Sequence, residues 1–359
     1  MSEILIIGGG IAGLALGKRL TDLNVPWRGF ERENKIGGRL ETGHHRVYTS
    51  DGRDFLSDLW PTIEWLTVDE APKQIRKGEW EDAPQDLRAP EQFYLGHPYF
   101  YPKSSYSVLL AHLEKQVGAK FELRSRITHI DLQKRTATGL NGVEHVFERM
   151  VWTSSLASLA KITGQTPKGL AKKKPAALET GGVTWDIRVS EPLFSESGTV
   201  VFPFRYKDLK VRAIGVRAPW NEGEGHIYHW MIFLEDALLD DHEELAKIVR
   251  AFKRELTKQF PALEGHLIQE KLAFHPSLSG EVPVSAASLE VFEGVACVGP
   301  DIFTEEVKQD GDTSARRNLD TVARNCMDFL DLVLPQWQAK PLPTPQPILD
   351  SGIEPSLSA

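Results

Sequence analysis

The chain has 359 residues, enough to bury a large core and to form two domains or one large interleaved unit. Its formal net charge of −8 argues against a nucleic-acid-binding role, which usually needs a basic face. Two cysteines, Cys297 and Cys326, are too few for a disulfide framework or a metal set, and no apolar run reaches the ~18 residues that span a bilayer. We therefore expect a cytoplasmic protein with no transmembrane segment, no bound metal and two buried thiols.

The N-terminal segment carries a dinucleotide-binding pattern. Ile4–Ile7 is a continuous apolar run, as expected for a parallel strand covered on both faces, and Gly8, Gly10 and Gly13 follow with the spacing G-x-G-x-x-G. The first glycine allows a tight turn, the second lets the backbone approach a pyrophosphate, and the third lets the next helix pack close to the sheet. The phosphates would then bind the open amides at the start of that helix.

An acidic residue follows at the expected distance. A short strand runs from Trp27 to Glu31, and Glu31 lies 18 residues after Gly13. A carboxylate at this point accepts hydrogen bonds from ribose hydroxyls and repels a 2′-phosphate, which disfavours NADP. The pattern predicts dinucleotide binding; the alternative is an ordinary glycine-rich turn in an α/β protein.

The segment after Glu31 points to a particular cofactor. The chain runs directly into Gly37-Gly38-Arg39-Leu40-Glu41-Thr42 instead of a further βα unit. Here the sequence resembles the superfamily of FAD-dependent amine oxidases and protoporphyrinogen oxidases, which also includes renalase-like and UDP-galactopyranose mutase-like flavoproteins. Two glycines let the loop close over the pyrophosphate, and Arg39 offsets its charge with forked donors. The alternative is a surface arginine in a turn.

The resemblance implies an α/β fold. A Rossmann-type FAD-binding domain with a parallel sheet (residues 1–55, 104–156 and 290–335) would be interleaved with an α+β substrate domain containing an antiparallel sheet (56–103 and 157–289). Residues 340–359 would form a tail.

The pattern of residues 182–260 supports the second sheet. Alternation over Gly182–Val189, then apolar strands near residues 199–204, 210–216 and 226–233, predicts antiparallel strands with one apolar face that could roof a ligand cavity. Tyr228 and Trp230 share a face, where they either wall a pocket or pack in the core, and His229 lies on the other face. A helix follows over residues 241–260, with Asp241 and Glu244 as a capping box.

Further cofactor contacts follow from the resemblance. Gly52 to Phe55 would end a strand near the isoalloxazine, although Arg53 stands where relatives usually have a small residue. Arg53 and Asp54 could equally form a surface pair. A strand over Phe121–Asp131 would offer the backbone of Ile127 to the adenine.

A second cofactor element is expected near the C-terminus. A strand over Val295–Gly299 would place Asp301 on the ribityl chain. Gly311-Asp312-Thr313-Ser314 would open a helix to about Leu334, with its positive end at the flavin N1–C2=O edge. Pro300, Arg316 and Arg317 depart from the family pattern. The predicted cofactor-binding residues are thus Gly8, Gly10, Ile11, Ala12, Gly13, Glu31, Arg32, Gly38, Arg39, Leu40, Gly52, Arg53, Ile127, Asp301, Asp312 and Thr313.

The resemblance predicts an FAD-dependent, amine oxidase-like oxidoreductase. It would oxidise a small organic substrate, an amine or another CH–NH or CH–CH donor, by hydride transfer to flavin N5. A single glycine pattern leaves no second domain for NADPH, which favours oxygen, a quinone or another carrier as electron acceptor. No motif places a catalytic residue. The alternatives are a non-redox FAD-dependent mutase or isomerase, and a catalytically silent flavin-binding protein.

Overall fold

The structure, a computed structural model, describes residues 3–41, 47, 49–76, 78–87, 91, 95, 98–167, 180–194, 198–222, 225–235, 238, 241–275, 289–299 and 319–339. The strands are β1 (Ile4–Ile7), β2 (Trp27–Phe30), β3 (Trp65–Val68), β4 (Lys73–Arg76), β5 (Glu79–Asp82), β6 (Tyr99–Pro102), β7 (Phe121–Glu122), β8 (Ile127–Asp131), β9 (Thr136–Gly139), β10 (Glu144–Val146), β11 (Arg149–Trp152), β12 (Thr180–Val189), β13 (Thr199–Tyr206), β14 (Leu209–Glu222), β15 (Gly225–Glu235), β16 (Leu267–His275), β17 (Glu290–Phe292) and β18 (Val295–Cys297).

The α-helices are α1 (Ile11–Asp22), α2 (Ser50–Leu59), α3 (Tyr106–Val117), α4 (Leu156–Thr163), α5 (His242–Gln259), α6 (Leu263–His266), α7 (Leu319–Asp328) and α8 (Leu334–Ala339). Short 3₁₀ turns cover Gly38–Glu41 and Gly118–Lys120, and a π-helical turn over Phe329–Val333 joins α7 to α8. Among the described residues, no helix is both long and apolar enough to cross a membrane.

The first sheet has the strand order β17-β18-β11-β1-β2-β7. Strand β1 pairs in parallel with β2 on one side and with β11 on the other, and all four of its residues are buried. Helices α1, α3 and α7 pack together around this sheet, and their apolar residues share one core with its strands. The apolar run at Ile4–Ile7 thus has the expected cause, a central parallel strand covered on both faces.

The predicted strand over Phe121–Asp131 is wrong in one respect, because the structure breaks it in two. Phe121–Glu122 pairs in parallel with β2, whereas Ile127–Asp131 belongs to a separate antiparallel sheet with the order β10-β9-β8. Between them Arg124 has a φ of 57°, in the left-handed region that turns the chain sharply. The sequence shows no glycine here, so the turn has no residue-type signal.

The second large sheet has the order β16-β12-β15-β14-β13-β4-β5. Strands β12, β15, β14 and β13 are antiparallel neighbours, as predicted. Strand β16, which was not predicted, pairs antiparallel with β12, and β4 joins in parallel beside β13. Helix α5 covers one face of this sheet. Tyr228 and Trp230 are fully buried there, and Trp230 lies 5.6 Å from Phe252 of α5 between ring centroids. Of the two roles considered for these aromatic residues, the structure therefore selects core packing.

The C-terminal part is described from Leu319. Helix α7 lies within the predicted helical segment. Strand β18 ends at Cys297, so the predicted strand to Gly299 is slightly too long. Cys297 and Cys326 are both buried, as expected, and burial raises the pKa of the Cys326 thiol. Pro300, Asp301, Asp312, Thr313, Arg316, Arg317 and the tail after residue 339 lie outside the described residues.

Candidate functional site

The first glycine turn is held tightly at the end of β1. Gly8 has a φ of 111° and its N–H donates to the Phe30 carbonyl at 2.8 Å. A Cβ at Gly8 would lie 2.4 Å from Oγ1 of Thr153, so both conformation and space require glycine. Thr153 Oγ1 donates to the carbonyls of Ile7 and Gly8, at 2.9 and 3.1 Å. The threonine that follows β11 therefore fastens the turn.

The other two glycines of the pattern have different surroundings. A Cβ at Gly13 would lie 1.9 Å from the Gly8 carbonyl oxygen, because α1 packs directly against the turn. A Cβ at Gly10, in contrast, would meet none of the residues that the structure describes within 4 Å. Gly10 is the N-cap of α1, and no side chain of the described residues caps this helix. The amides that open α1, at Ile11, Ala12 and Gly13, thus face a space suited to an anion.

Glu31 lies at the C-terminal end of β2, under the first turn. It is 7% exposed, and its Oε2 accepts from the Gly9 N–H at 2.6 Å while Oε1 accepts from the Glu33 N–H at 2.9 Å. A carboxylate has about four acceptor positions, so Glu31 can hold Gly9 and still accept from a ribose hydroxyl. The neighbouring Arg32 is exposed and bonded to Glu33 at 3.0 Å.

The second glycine turn lies directly on the first. Gly37 N–H donates to the Gly9 carbonyl at 2.8 Å, and Gly37 and Gly10 form an isolated parallel bridge. Gly38 has a φ of 55°, and a Cβ there would lie 3.2 Å from the Gly10 Cα. The 3₁₀ turn that follows contains the backbone of Arg39, and Leu40 is buried in the core. The two predicted turns therefore meet at one point.

Gly52 was expected at the end of a strand, and this is wrong. It lies in the first turn of α2, where Thr49 Oγ1 caps the helix by accepting from the Gly52 N–H at 3.0 Å. Asp320, at the start of α7, accepts from the Thr49 N–H and hydroxyl at 3.0 and 2.7 Å. A Cβ at Gly52 would lie 2.3 Å from Asp320 Oδ1, so this glycine permits two helices to meet. The hydroxyl cap explains why a helix begins here.

Arg53 is engaged by its neighbours. Its Nη2 lies 2.8 Å from Asp54 Oδ1, and its guanidinium carbon lies 4.8 Å from the centre of the Phe100 ring. The contact with Asp54 matches the alternative given for Arg53, a surface pair with its neighbour.

Ile127 begins β8 and is 7% exposed. The loop before it lies beside the end of β2, because the Ser125 N–H donates to the Glu31 carbonyl at 2.8 Å. The structure thus brings Ile127 near Glu31, at the end of the turn system where an adenosine would lie.

Two supports for this region had no predicted role. Thr153 lies in the hydroxyl-rich segment after β11. Its hydrogen bond to the Gly8 carbonyl shows that it stabilises the first glycine turn. Asn325 of α7 is buried, and its Nδ2 donates to the Gly299 carbonyl at 2.9 Å. A Cβ at Gly299 would lie 2.1 Å from the Ser154 carbonyl oxygen. Both supports join segments distant in sequence, so no local signal could have found them.

Comparison with known proteins agrees with this geometry. Residues 6–68 match the family model for an NAD(P)-binding Rossmann-like domain. An oxidoreductase from Methanosarcina mazei has a similar structure, with a TM-score of 0.65 and 13% identity over 92% of this chain and 100% of that chain. The chain shares its fold.

Two further solved structures resemble the chain over most of its length. Reduced UDP-galactopyranose mutase has a TM-score of 0.56 at 14% identity, covering 94% of this chain and 96% of its own. Putrescine oxidase bound to putrescine has a TM-score of 0.58 at 10% identity, with coverages of 92% and 99%. A search of curated proteins finds no match. The fold-level resemblance to amine oxidase-like and mutase-like proteins is therefore confirmed.

Proposed function

We propose that the protein is an FAD-dependent oxidoreductase that oxidises a small organic substrate, an amine or another CH–NH or CH–CH donor. The observation that carries this proposal is the stacking of two glycine turns at the open N-terminus of α1. A Cβ added at Gly10 would meet no atom of the described residues within 4 Å, and an open space at a helix N-terminus suits the pyrophosphate of an extended dinucleotide.

The chain's own residues would divide the binding of FAD among them. The amides of Gly10–Gly13 would bind the pyrophosphate together with the Gly37–Arg39 turn, and Glu31 would accept from the ribose. Ile127 would lie beside the adenine. FAD, when bound, accepts a hydride at N5, and the protein orients the substrate and excludes water. The division into residues 1–55, 104–156 and 290–335 for FAD, with the remainder for substrate, is part of the proposal.

The number of glycine patterns in the sequence bears on the electron acceptor. One glycine pattern serves one dinucleotide, so oxygen, a quinone or another carrier would reoxidise the flavin. A non-redox mutase is the second candidate, because reduced UDP-galactopyranose mutase resembles nearly the whole chain. Chemically reduced protein mixed with air and, separately, with a soluble quinone separates the two, since an oxidoreductase regains its oxidised spectrum rapidly with at least one of these acceptors and a mutase keeps reduced flavin longer with both.

Gly10→Ala tests the cofactor assignment. The added methyl meets no atom of the described residues within 4 Å, so we expect an intact fold but at least about tenfold weaker FAD binding, from a methyl in the phosphate space. Flavin absorbance near 450 nm and FAD titration of the apoprotein measure this.

Gly265→Ala is the matched control, because a Cβ there also meets nothing within 4 Å and the residue lies in α6, far along the chain. It should bind FAD like the unchanged protein. Equal FAD affinity in the Gly10 variant and its control would contradict the assignment.

A further inference from the structure

One peptide group of the first glycine turn is held at both ends. Its carbonyl belongs to Gly8 and accepts from Oγ1 of Thr153 at 3.1 Å. Its N–H belongs to Gly9 and donates to Oε2 of Glu31 at 2.6 Å. The C=O and N–H of a trans peptide point in opposite directions, so the two side chains hold the group from opposite sides. We call Thr153 and Glu31 the peptide clamp.

The two side chains of the peptide clamp come from different strands of the first sheet. Thr153 follows β11 and Glu31 follows β2, and both strands are parallel neighbours of β1. The Gly8–Gly9 peptide lies just beyond the end of β1, between them. The carboxyl ends of parallel strands meet at the edge where open α/β sheets bind ligands. The clamp therefore lies at the edge that carries the glycine turns.

The clamped peptide lies against the start of α1. A Cβ at Gly13 would lie 1.9 Å from the Gly8 carbonyl oxygen, so this oxygen is in direct contact with the first turn of the helix. The next carbonyl along the chain, that of Gly9, accepts from the Gly37 N–H at 2.8 Å. The direction of the Gly8–Gly9 peptide therefore determines where the helix opens and where the second glycine turn is attached.

A turn made of glycines needs such a clamp. A peptide group turns over when ψ of the residue before it and φ of the residue after it change together, and glycine allows both changes at little cost. Turning the Gly8–Gly9 group over would point its carbonyl oxygen at Glu31, which is 7% exposed, and two acceptors would then face each other. Glu31 thus disfavours the turned-over state, and the Thr153 hydroxyl stabilises the observed one.

The Thr153 hydroxyl is not needed to join β11 to β1. The Thr153 N–H already donates to the Ile7 carbonyl at 3.1 Å, which continues the ladder between the two strands. The hydroxyl shares its proton between this carbonyl, at 2.9 Å, and the Gly8 carbonyl. What the hydroxyl adds is therefore a bond to the glycine turn.

We propose that Thr153 is a positioning residue for the diphosphate of the bound dinucleotide, acting through the Gly8–Gly9 peptide, and that Glu31 holds the other end of that peptide besides its proposed contact with a ribose. Without the hydroxyl the peptide adopts more orientations, and the amides that open α1 bind a diphosphate less tightly. This inference rests on the proposed function for the presence of a dinucleotide, but it concerns the diphosphate and requires no flavin.

Two fragments separate the diphosphate from the rest of the ligand: adenosine, which carries the base and ribose, and ADP, which adds the diphosphate. Both are titrated calorimetrically into the flavin-free full-length protein. ADP should bind the unchanged protein at least about tenfold more tightly than adenosine, from hydrogen bonds to a charged group. Thr153→Val, which keeps the shape of the side chain, should weaken ADP binding about five- to tenfold and adenosine binding less than about twofold. Thr153→Ala should show the same selective loss.

Thr153→Ser and Thr163→Val are the matched controls. Serine keeps the hydroxyl and should restore the ADP affinity to within about twofold of the unchanged protein. Thr163 ends α4 with a buried hydroxyl that donates to the carbonyls of Leu159 and Ala160, at 2.9 and 3.3 Å. Its replacement removes the same kind of bond elsewhere and should leave both affinities unchanged.

A double variant tests whether the two side chains hold one peptide. Glu31→Leu by itself should weaken both fragments, since it also removes the acceptor for the ribose. Once this end is released, releasing the other end changes little. Adding Thr153→Val to Glu31→Leu should therefore weaken ADP binding less than about threefold further. A full five- to tenfold further loss, about that of Thr153→Val alone, would show that the two side chains act independently and would overturn the shared clamp.

The proposal is also overturned if ADP binds the unchanged protein no better than adenosine, if Thr153→Val weakens both fragments equally or neither, or if serine fails to restore ADP binding. Failure of both the valine and the alanine variant to fold would overturn it too, because the hydroxyl would then serve the fold. The flavin spectrum reports separately on the proposed function. A protein with the selective ADP loss that never binds flavin would retain the clamp and refute the FAD-dependent oxidoreductase.

Discussion

Gly10 and Gly13 belong to the same glycine pattern, but the space around their Cα atoms differs. Gly13 is needed by the fold, since its Cβ would press on the Gly8 carbonyl oxygen at 1.9 Å. Gly10 has room for a side chain among the described residues, and under the proposed function a bound pyrophosphate would occupy that space. The sequence pattern does not distinguish its three glycines, whereas the structure separates Gly13, which packing requires, from Gly10, which has open space beside its Cα.

Gly13→Ala should therefore destabilise the protein. The clash is with backbone, which cannot rotate away, and we expect a loss of about 3 kcal/mol, or roughly 4 °C in the melting temperature of a chain of this length. Thermal unfolding of the apoprotein measures the effect. Gly10→Ala serves as the control and should melt within about 2 °C of the unchanged protein, since surface changes cost little. Equal melting of the two variants would refute this distinction.

The start of helix α5 shows how one element is fastened to its sheet. Asp241 Oδ1 accepts from the N–H groups of Glu243 and Glu244 at 3.1 and 3.0 Å, which confirms the predicted cap. Glu244 was expected to complete a capping box. Its carboxylate is instead bonded to Tyr206 Oη at 2.7 Å and Lys207 Nζ at 2.8 Å, at the β13–β14 turn. The helix is thus tied to the sheet that it covers.

Replacing Glu244 by glutamine should give a stability difference that depends on pH. Hydrogen bonds from Lys207, Tyr206 and Lys247 lower the pKa of Glu244 from 4.5 to about 2 in the folded protein. A carboxyl group with a lowered folded pKa stabilises above its unfolded value, and this contribution is lost as the pH falls from about 4.5 towards 2.

Urea unfolding at several pH values measures the difference. Glu244→Gln should be less stable than the unchanged protein at pH 7, and the gap should shrink steadily below about pH 4.5. Glu264→Gln, at an exposed position in α6, is the control and should show a much smaller gap. A constant gap from pH 7 to pH 3 would show that the ion pairs contribute nothing.

The described residues form two main cores, and the chain contributes to each of them more than once. One surrounds the parallel sheet, and the other lies between α5 and the antiparallel sheet. A segment that we call the strap, residues 83–87 with Glu91 and Leu95, packs on the face of the second sheet that α5 does not cover, where Arg212 bonds to Asp86 and Glu91. Its contacts join strand β14 to residues more than a hundred positions earlier, so they form only in the folded state.

Arg212→Leu should loosen the strap and leave the parallel sheet intact. Arg212 is 20% exposed and holds a carboxylate that is 1% exposed, so its removal should cost about 1–3 kcal/mol, less than for a fully buried pair. Hydrogen exchange should rise in residues 83–87 but not in α1. Lys103→Leu, which breaks an exposed pair with Glu64, is the control and should change neither. Uniformly faster exchange throughout the chain would contradict a local role for the strap.

Local patterns determined the parts of this protein that depend on neighbours in sequence. The strand, glycine turn and helix at Ile4–Asp22, the acid at Glu31, and the capped helix α5 follow from periodicity, backbone freedom and hydrogen-bonding side chains within a few residues. Such features could be predicted because their energies are decided before the chain folds globally.

Only the tertiary structure decided which surfaces meet. It placed Gly52 in a helix against Asp320, broke the strand before Ile127, and turned the Tyr228 face of the sheet towards α5. It also paired Asp186 with His229, 43 positions apart, through the register of β12 and β15. Register and face are set by packing between distant segments, and a one-residue shift would exchange the two faces. For that reason the alternation in the sequence shows that two faces exist, and only the folded core shows which one α5 covers.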